Sequence, residues 1–493
     1  MIYPLPPINQ FENVYLYGAG VVGLAYKQQI DQLNESKKVI SYIETTTRAS
    51  HFHGTEIITL NMLTMPLPAN TAIVIASINF KDEIEQILLN AGIDAHQIIL
   101  PEESEFNPRL PCDVSKLTGI NTVLLYPEIN DKDTLNLLEE KMRWYAPESL
   151  GAELTCISDS LSAHDSQYIR VISASDKLDF DDFQLVLLWK ASGAQVLPLS
   201  VHHKSYSIDP RSLPPVEPRN LRSLPLVCAT HEKVDRLLAS SIQRFESVVS
   251  SCKNASSVTL VGNGPSGLAA LDNIDVDTNY IICNSAVKNT PLLKALRPKV
   301  ITFNDPVFYS GYTTYTKQFC RDLVDACSAY NIFAVTGLDS GLLLLEHFPE
   351  IEPYLIVLPV RRNEQTALSN FQKAFNVPSI SRFFVDDSWN ILTLYMLPLS
   401  AAFNKVCYTW GFDGRKPEES YYWKHNSSLQ YTDLMQEVIN AHPAFFDNVD
   451  KAEYYVRHCE SLESMLKHYE SKGCTFINKT LSYVPALKAR YRE

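Results

Sequence analysis

The sequence predicts an α/β protein of several domains, each built around a Rossmann-like parallel sheet. Short apolar segments alternate with helix-like segments along the chain, which is the pattern of strands in a parallel sheet joined by helices. Two glycine-rich turns, GAGVVG and GNGPS, each follow an apolar segment. The 493 residues correspond to about three domains of ordinary size.

The first domain is predicted over residues 1–115. Strands are expected at 13–17 (NVYLY), 39–43, 71–77 and 97–100, with helices after the first and third of them. Runs of these lengths, separated by helix-like segments, favour a parallel arrangement.

The second domain is predicted over residues 116–225. Strands are expected at 122–126 and 168–172 and a helix at 132–145, while residues 180–191 have apolar residues at helical spacing. The proline-rich stretch 210–225 predicts a linker, because proline at that density blocks the continuation of helices and sheets.

The third domain is predicted over residues 226–493. A helix at 232–251 precedes strands expected at 257–261, 280–283, 300–303, 332–335 and 405–409, and the last 40 residues are predicted to be helical. No internal repeat is visible.

Charge and composition exclude several classes of protein. The net charge of −13 argues against general nucleic-acid binding. We expect no membrane-spanning helix, no secretory signal and, from scattered cysteines without a CxxC pair, reduced thiols. A cytoplasmic protein is expected, with peripheral association at the inner face of the cytoplasmic membrane left open. The acidic runs at 179–182 and 275–277 are interpreted as solvated carboxylates, so no metal site is predicted.

The first glycine-rich turn has the spacing of a dinucleotide-binding fingerprint. Gly18, Gly20 and Gly23 lie between a predicted strand and a helix, and Glu44 stands where a ribose-binding acid is expected. A nucleotide-free domain with the same tight turn remains the alternative. No residue suggests hydride transfer. The segment resembles the small N-terminal Rossmann-like domains of bacterial sugar-modifying enzymes.

The second turn begins a series of amide side chains. Gly262, Asn263, Gly264 and Ser266 form a strand-to-helix turn that lacks the lysine of a P-loop, and Ser266 is expected to cap the next helix. Two later strands end in Asn284 and Asn304. Three amides at successive strand ends would share the edge where open α/β sheets bind ligands, and amides suit a pyrimidine base, a ribose or sugar hydroxyls.

Groups suited to phosphate and proton chemistry follow the last predicted strand. They are Asp413, Tyr421, Tyr422, Lys424, His425 and His442. Tyrosyl hydroxyls and a lysine can hold a departing phosphate, and a histidine can accept a proton from an attacking hydroxyl. A surface or core role is the alternative for any one of the twelve histidines.

These motifs, in this order, resemble the bacterial CMP-sialic-acid-dependent sialyltransferases of glycosyltransferase family 42. The chain is also similar, more loosely, to the motility accessory factor proteins that transfer related nonulosonic acids. The resemblance covers about 200 residues, and the matching positions are Gly262–Ser266, Cys283-Asn284, Phe303-Asn304, Tyr309, Tyr312, Tyr315, Tyr395-Met396 and Gly411–Asp413. A polar Thr-Ser-Gly of the family has no counterpart at 391–393, so Ser388, Trp389 or Asn390 would replace it.

The resemblance implies a C-terminal sialyltransferase-like domain, a variant of the GT-A fold, and an inverting transfer that needs no metal cofactor. Asn263, Asn284 and Asn304 would hold the CMP-nonulosonate donor. Tyr421, with Tyr422 or Lys424, would stabilise the phosphate. The general base would be His442, with His425 as the alternative.

The acceptor would be a capsule, lipopolysaccharide or flagellin glycan. Two other classes stay open: another nucleotide-dependent transferase, such as a pterin diphosphokinase-like enzyme, and an NAD-binding protein led by the GAGVVG domain. The oligomeric state is not predicted.

Overall fold

Three large sheets follow one another along the chain. The computed structural model describes residues 5–8, 10–33, 38–46, 50–52, 54–77, 80–101, 119–173, 178–212, 215–361, 375–388, 390–415, 427–447 and 451–493. Each sheet falls within one of the three predicted segments, and almost all neighbouring strands run parallel, so the α/β class with Rossmann-like sheets is confirmed.

The first sheet has six strands in the order β3-β4-β2-β1-β5-β6, and only the β3–β4 pair is antiparallel. Its elements are β1 (Asn13–Tyr17), α1 (Val21–Leu33), β2 (Lys38–Glu44), β3 (His51–Phe52), β4 (Thr55–Thr59), β5 (Thr71–Ile75), α2 (Lys81–Asn90) and β6 (Ile98–Ile99).

The second sheet has five parallel strands in the order β11-β10-β7-β8-β9. Its elements are β7 (Thr122–Tyr126), α3 (Lys132–Tyr145), β8 (Glu153–Ile157), β9 (Ile169–Ile172), β10 (Leu185–Leu188) and β11 (Ser205–Ser207). Helix α3 begins where the carboxylate of Asp131 accepts a hydrogen bond of 2.7 Å from the backbone of Thr134, and it buries Leu135, Leu138 and Met142 at helical spacing.

The third sheet has seven parallel strands in the order β16-β15-β14-β13-β12-β19-β20, and β17 pairs separately with β18. Two helices, α4 (Glu217–Cys228) and α5 (His231–Cys252), precede it. The other elements are β12 (Ser257–Val261), β13 (Thr278–Cys283), α6 (Thr290–Leu296), β14 (Val300–Thr302), α7 (Pro306–Tyr309), α8 (Thr314–Tyr330), β15 (Phe333–Thr336), α9 (Leu338–His347), β16 (Leu355–Val357), β17 (Val360–Arg361), β18 (Val385–Asp386), α10 (Leu397–Phe403), β19 (Val406–Trp410), α11 (Met435–Ala441), α12 (Pro443–Asp447), α13 (Lys451–Glu470), β20 (Thr475–Asn478) and α14 (Pro485–Ala489).

Two secondary-structure predictions are wrong. Residues 180–191 form a short 3-10 turn at Phe180–Asp182 followed by β10, because the apolar run LVLL is a fully buried strand. Such a short run has no periodicity that separates strand from helix. The C-terminal residues are not wholly helical, since β20 pairs with β19 at the sheet edge.

The predicted proline-rich linker is also different in the structure, where its second half forms the buried helix α4. Pro218 lies in the first turn, where a missing N–H costs nothing, and Pro225 lies near the end. Helix α4 packs against α3 and also against α7 and α9. It therefore joins the second sheet to the third instead of separating them.

The strand order of the third sheet reverses between β12 and β19. From β12 the chain adds β13 to β16 on one side, and it then returns to place β19 and β20 on the other side. A reversal of this kind opens a crevice at the carboxyl ends of the two strands, because the following loops leave in opposite directions. The site described next lies there.

Candidate functional site

A cleft of about 750 Å³ lies at the carboxyl ends of the third sheet. Residues that directly follow five strands line it: Asn263, Gly264 and Pro265 after β12, Asn284 after β13, Asn304 and Asp305 after β14, Gly337 and Asp339 after β15, and Gly411, Phe412 and Asp413 after β19. Helix α4 contributes a wall with Pro218, Arg222 and Leu226, and α13 contributes Tyr455 and His458. A volume of this size fits a nucleotide-sized ligand.

Two glycine-rich loops cross at the bottom of the cleft. Gly264 N–H donates to the carbonyl of Gly411 over 3.0 Å. A methyl group at Gly264 would overlap the carboxylate of Asp413 and lie 2.5 Å from the Gly411 carbonyl, and one at Gly262 would lie 2.7 Å from the same carbonyl. Glycine is therefore required by the contact between the loops, with a positive φ of 74° only at Gly411.

Ser266 does not cap the next helix, contrary to our expectation. The 3-10 helix Pro265–Asp272 begins after Gly264, without a side-chain cap. The Ser266 backbone N–H instead donates to Asp413 Oδ2 over 3.3 Å. The carboxylate of Asp413, expected to bind the donor, thus also holds the two loops together.

The amides of Asn263 and Asn284 have different partners. Asn263 Nδ2 donates to Ser285 Oγ over 3.2 Å. Asn284 has a left-handed backbone with φ of 54°, which asparagine tolerates better than most residues. Its Oδ1 atom is buried and has no hydrogen-bond partner among the described residues. An orphaned acceptor in a cleft costs free energy until a ligand donor reaches it.

The amide of Asn304 is held by an arginine from α4. Arg222 Nη1 donates to the backbone carbonyl of Asn304 and lies 3.4 Å from its Oδ1. Arg222 Nε lies 2.8 Å from Asp339 Oδ2. Arg222 is only 7% exposed, and Asp339 compensates its charge inside the protein.

Asp305 and His458 are among the ionisable groups of the cleft whose pKa values are shifted. Burial raises the pKa of the Asp305 carboxyl. Burial also lowers the pKa of His458 to about 4, so the imidazole is neutral near pH 7. Asn390 Nδ2 lies 2.9 Å from each ring nitrogen of His458.

Sequence reasoning missed Arg222, Asp339 and His458. The sequence does contain an indication for Asp339, because this residue follows the end of a predicted strand, as the three asparagines do. Arg222 lies in a stretch predicted as linker, and His458 lies within a helix without any motif, so neither had a local signal.

The structure does not bring His442 together with the three amides. His442 is 0% exposed, and it is not among the cleft-lining residues. Its Nδ1 lies 2.7 Å from Glu217 Oε2, and its Nε2 has no partner among the described residues. In this structure the imidazole does not line the cleft that the amides share, and its role as general base stays a prediction.

The other positions of the predicted site are distributed as follows. Of the tyrosines in the resemblance, Tyr309 lines the cleft, whereas Tyr312 and Tyr315 do not. Ser388 and Asn390 line it too, at the place expected for the missing polar triplet. Tyr421, Tyr422, Lys424, His425 and Trp389 lie outside the described residues.

The N-terminal turn has the packing expected of the fingerprint glycines. Gly18 has φ of 124°, and a methyl group at Gly23 would overlap the Gly18 carbonyl. At Gly20 a methyl group would meet nothing within 4 Å. Glu44 ends β2, the strand beside β1. Whether a nucleotide binds there stays a prediction.

Two features are absent from the described ranges. No three His, Cys, Asp or Glu side chains in that part of the chain are grouped so that they could hold a metal ion. None of its helices is both long and apolar enough to cross a bilayer.

No family model and no curated protein matches the chain. Among solved structures, the chain is similar to that of the sialyltransferase CstII from Campylobacter jejuni in complex with a substrate analogue, CMP-3FNeuAc. The identity is 13%, the match covers 47% of this chain and 88% of that chain, and the TM-score is 0.24. Because both the identity and the TM-score are low, this similarity carries no argument about function.

Proposed function

We propose that this chain is an inverting glycosyltransferase that moves a nonulosonic acid from a CMP-activated donor to a hydroxyl of a surface glycan. The sugar would be of the sialic, pseudaminic or legionaminic type, and the glycan would be a capsule, lipopolysaccharide or flagellin glycan. The reaction would take place in the cytoplasm or at the inner face of the membrane.

The observation that carries the proposal is the row of amides in the cleft. Asn263, Asn284 and Asn304 follow three adjacent strands and line one cavity. The unpaired Oδ1 of Asn284 calls for a ligand N–H or O–H, and the exocyclic amine and ribose hydroxyls of cytidine supply such donors. Amides recognise these neutral groups without the charge that a purely phosphate-directed site would use.

The proposed chemistry is a single displacement at the anomeric carbon. The acceptor oxygen forms a bond to that carbon from the face opposite the phosphate, and the bond from carbon to phosphate oxygen breaks. The electron pair leaves with CMP, and the proton of the acceptor hydroxyl passes to a general base. A monophosphate leaving group carries less charge than a diphosphate, so the proposed reaction needs no metal ion.

Roles for the remaining groups follow from the resemblance and stay proposals. Tyr421, with Tyr422 or Lys424, would stabilise the departing phosphate. The general base would be His442, which lies against Glu217 in this structure, or His425, the alternative.

The test is donor turnover. We expect release of CMP from CMP-sialic or CMP-pseudaminic acid in the presence of EDTA, with transfer when glycan acceptors are added. If neither donor releases CMP, with or without acceptors, the proposal is wrong.

A panel of ligands separates the competing classes. We expect CMP to raise the melting temperature more than UDP, ATP with Mg²⁺, or NAD, because a ligand that binds only the folded state stabilises it by mass action. A larger shift with ATP would favour a diphosphokinase-like enzyme, and a shift with NAD alone would favour an NAD-binding protein.

A further inference from the structure

The orientation of Asn304 is set by a residue from outside the third sheet. Arg222 Nη1 approaches Oδ1 of Asn304 as well as its backbone carbonyl. A methyl group at Gly337 would lie 3.4 Å from the same Oδ1, so the loop after β15 also passes close to this atom. The amide oxygen therefore lies near both α4 and that loop. Since the oxygen accepts from Arg222, the amide nitrogen faces the other way.

The arginine itself is held in one position. Its Nε lies 2.8 Å from Asp339 Oδ2, and Asp339 Oδ1 accepts from the backbone N–H of Ser340 over 2.8 Å. Helix α4 is packed against α3, α7 and α9, so the stem of Arg222 is fixed as well. Nη1 therefore hydrogen-bonds Asn304, whereas Nε is in ion-pair contact with Asp339 without forming a hydrogen bond; contacts at both nitrogens of a planar guanidinium limit its rotation.

We propose that Arg222 is a positioning residue that turns the Asn304 NH₂ group into the cleft, where it donates to an acceptor oxygen of the bound nucleotide sugar. The inference rests on the proposed function, since it names how that site recognises its donor. The residues 119–228, which supply α4 and its support, are then part of the donor site and not a separate module.

Coupling between the two residues tests this. Substitution of Arg222 alone would leave the Asp339 carboxylate, only 14% exposed, without its ion-pair partner, so we use Arg222→Gln combined with Asp339→Asn, which removes both charges. The KM for CMP-sialic acid or CMP-pseudaminic acid and the affinity for CMP are measured for this variant, for Asn304→Ala, and for the three substitutions together.

We expect Asn304→Ala to raise the donor KM about tenfold, the loss of one good hydrogen bond, and the charge-pair variant to raise it by a similar factor. The combined variant should be no worse than Asn304→Ala, because Arg222 acts through that amide. Losses that multiply in the combined variant would overturn the inference.

Two controls keep folding and function apart. Arg236→Gln removes an exposed arginine of α5 that pairs with Glu232 of the same helix, and it should leave the donor KM and the melting temperature unchanged. If the wild-type chain turns over no donor and binds no CMP, the proposed function fails. If it does both and the losses multiply, only the role of Arg222 fails.

Discussion

His442 and Glu217 form a buried pair in which Nδ1 of the imidazole lies 2.7 Å from Oε2 of the carboxylate. Lys141 Nζ lies 3.2 Å from the other oxygen, Oε1. His442 follows α11, Glu217 begins α4 and Lys141 lies in α3. One cluster therefore connects the third sheet, α4 and the second sheet. The ring of Tyr312 packs against both His442 and Lys141.

Glu217→Gln should therefore destabilise the whole fold. Glu217 is 1% exposed, and its loss would leave the Lys141 charge buried without a partner, at a cost of about 3–5 kcal/mol. Denaturant unfolding measures this cost. Glu232→Gln, at an exposed position of α5, is the matched control and should change the free energy of unfolding by less than about 0.5 kcal/mol. Equal effects of the two substitutions would contradict the buried cluster.

The same cluster predicts acid sensitivity. Burial alone would raise the pKa of Glu217, but Lys141 and then His442 hold it below its ordinary value. A carboxylate with a lowered native pKa stabilises the fold above its unfolded pKa of about 4.3, and this contribution is lost as the pH falls through the native pKa. The free energy of unfolding of Glu217→Gln should not show this loss below about pH 4.3. If it falls with pH as that of the wild type does, the assignment is wrong.

His458 predicts a separate pH dependence at milder acidity. Its pKa in the folded protein is lowered to about 4 by burial, whereas in the unfolded chain it is about 6.5. The free energy of unfolding should fall by up to about 3 kcal/mol between pH 6.5 and pH 4, because the unfolded chain binds a proton that the native protein rejects. His458→Gln should flatten this slope in urea titrations. Burial also lowers the pKa values of His347 and His468, so both proteins keep part of this slope. Parallel curves for the two proteins would contradict the prediction.

The contact between the two glycine-rich loops predicts that alanine is poorly tolerated at Gly264 but well tolerated at Gly20. Gly264→Ala would push its methyl group into Asp413 and the Gly411 carbonyl, so we expect a loss of about 1–3 kcal/mol in stability and loss of CMP binding. Gly20→Ala meets open space and should cost no more than about 1 kcal/mol without changing CMP binding. Calorimetry measures the CMP affinity of both variants. If Gly264→Ala binds CMP as tightly as the wild type does, the prediction is wrong.

Asn284→Asp should weaken CMP binding at least about tenfold. The aspartate keeps the shape of the side chain and tolerates the left-handed backbone, but it places a negative charge in a site proposed to bind a phosphate ester, and like charges at an interface cost several kcal/mol. Asn273→Asp, outside the cleft on an exposed loop, is the control. Equal CMP affinities for the two variants would show that Asn284 does not face the nucleotide.

Much of the architecture was predictable because it depends on local patterns. The runs at Asn13–Tyr17, Thr122–Tyr126 and Ser257–Val261 are strands with the predicted bounds, since each is a short apolar segment before a turn. The row of amides followed from one topological rule, that the carboxyl ends of parallel strands share an edge.

The remainder depends on tertiary contacts that no local pattern encodes. Glu217 and His442 are 225 residues apart, so nothing beside either residue indicates their pairing. Helix α4 forms despite Pro225 because packing against three helices outweighs a poor intrinsic propensity. The apolar run in residues 180–191 is compatible with a helix or a strand. It forms strand β10 because it pairs with the neighbouring strands β7 and β11.

The reversal of strand order has a consequence for how the cleft is assembled. Val258 of β12 pairs with Cys407 of β19, while β12 to β16 pair in the order in which they are synthesised. The first half of the sheet can therefore form while the chain is still being made, whereas its partner strand arrives only after a long loop has been closed, a slow step in folding. Until then the edge of β12 that later receives β19 is open, and binding competence should be the last property that a newly made molecule acquires.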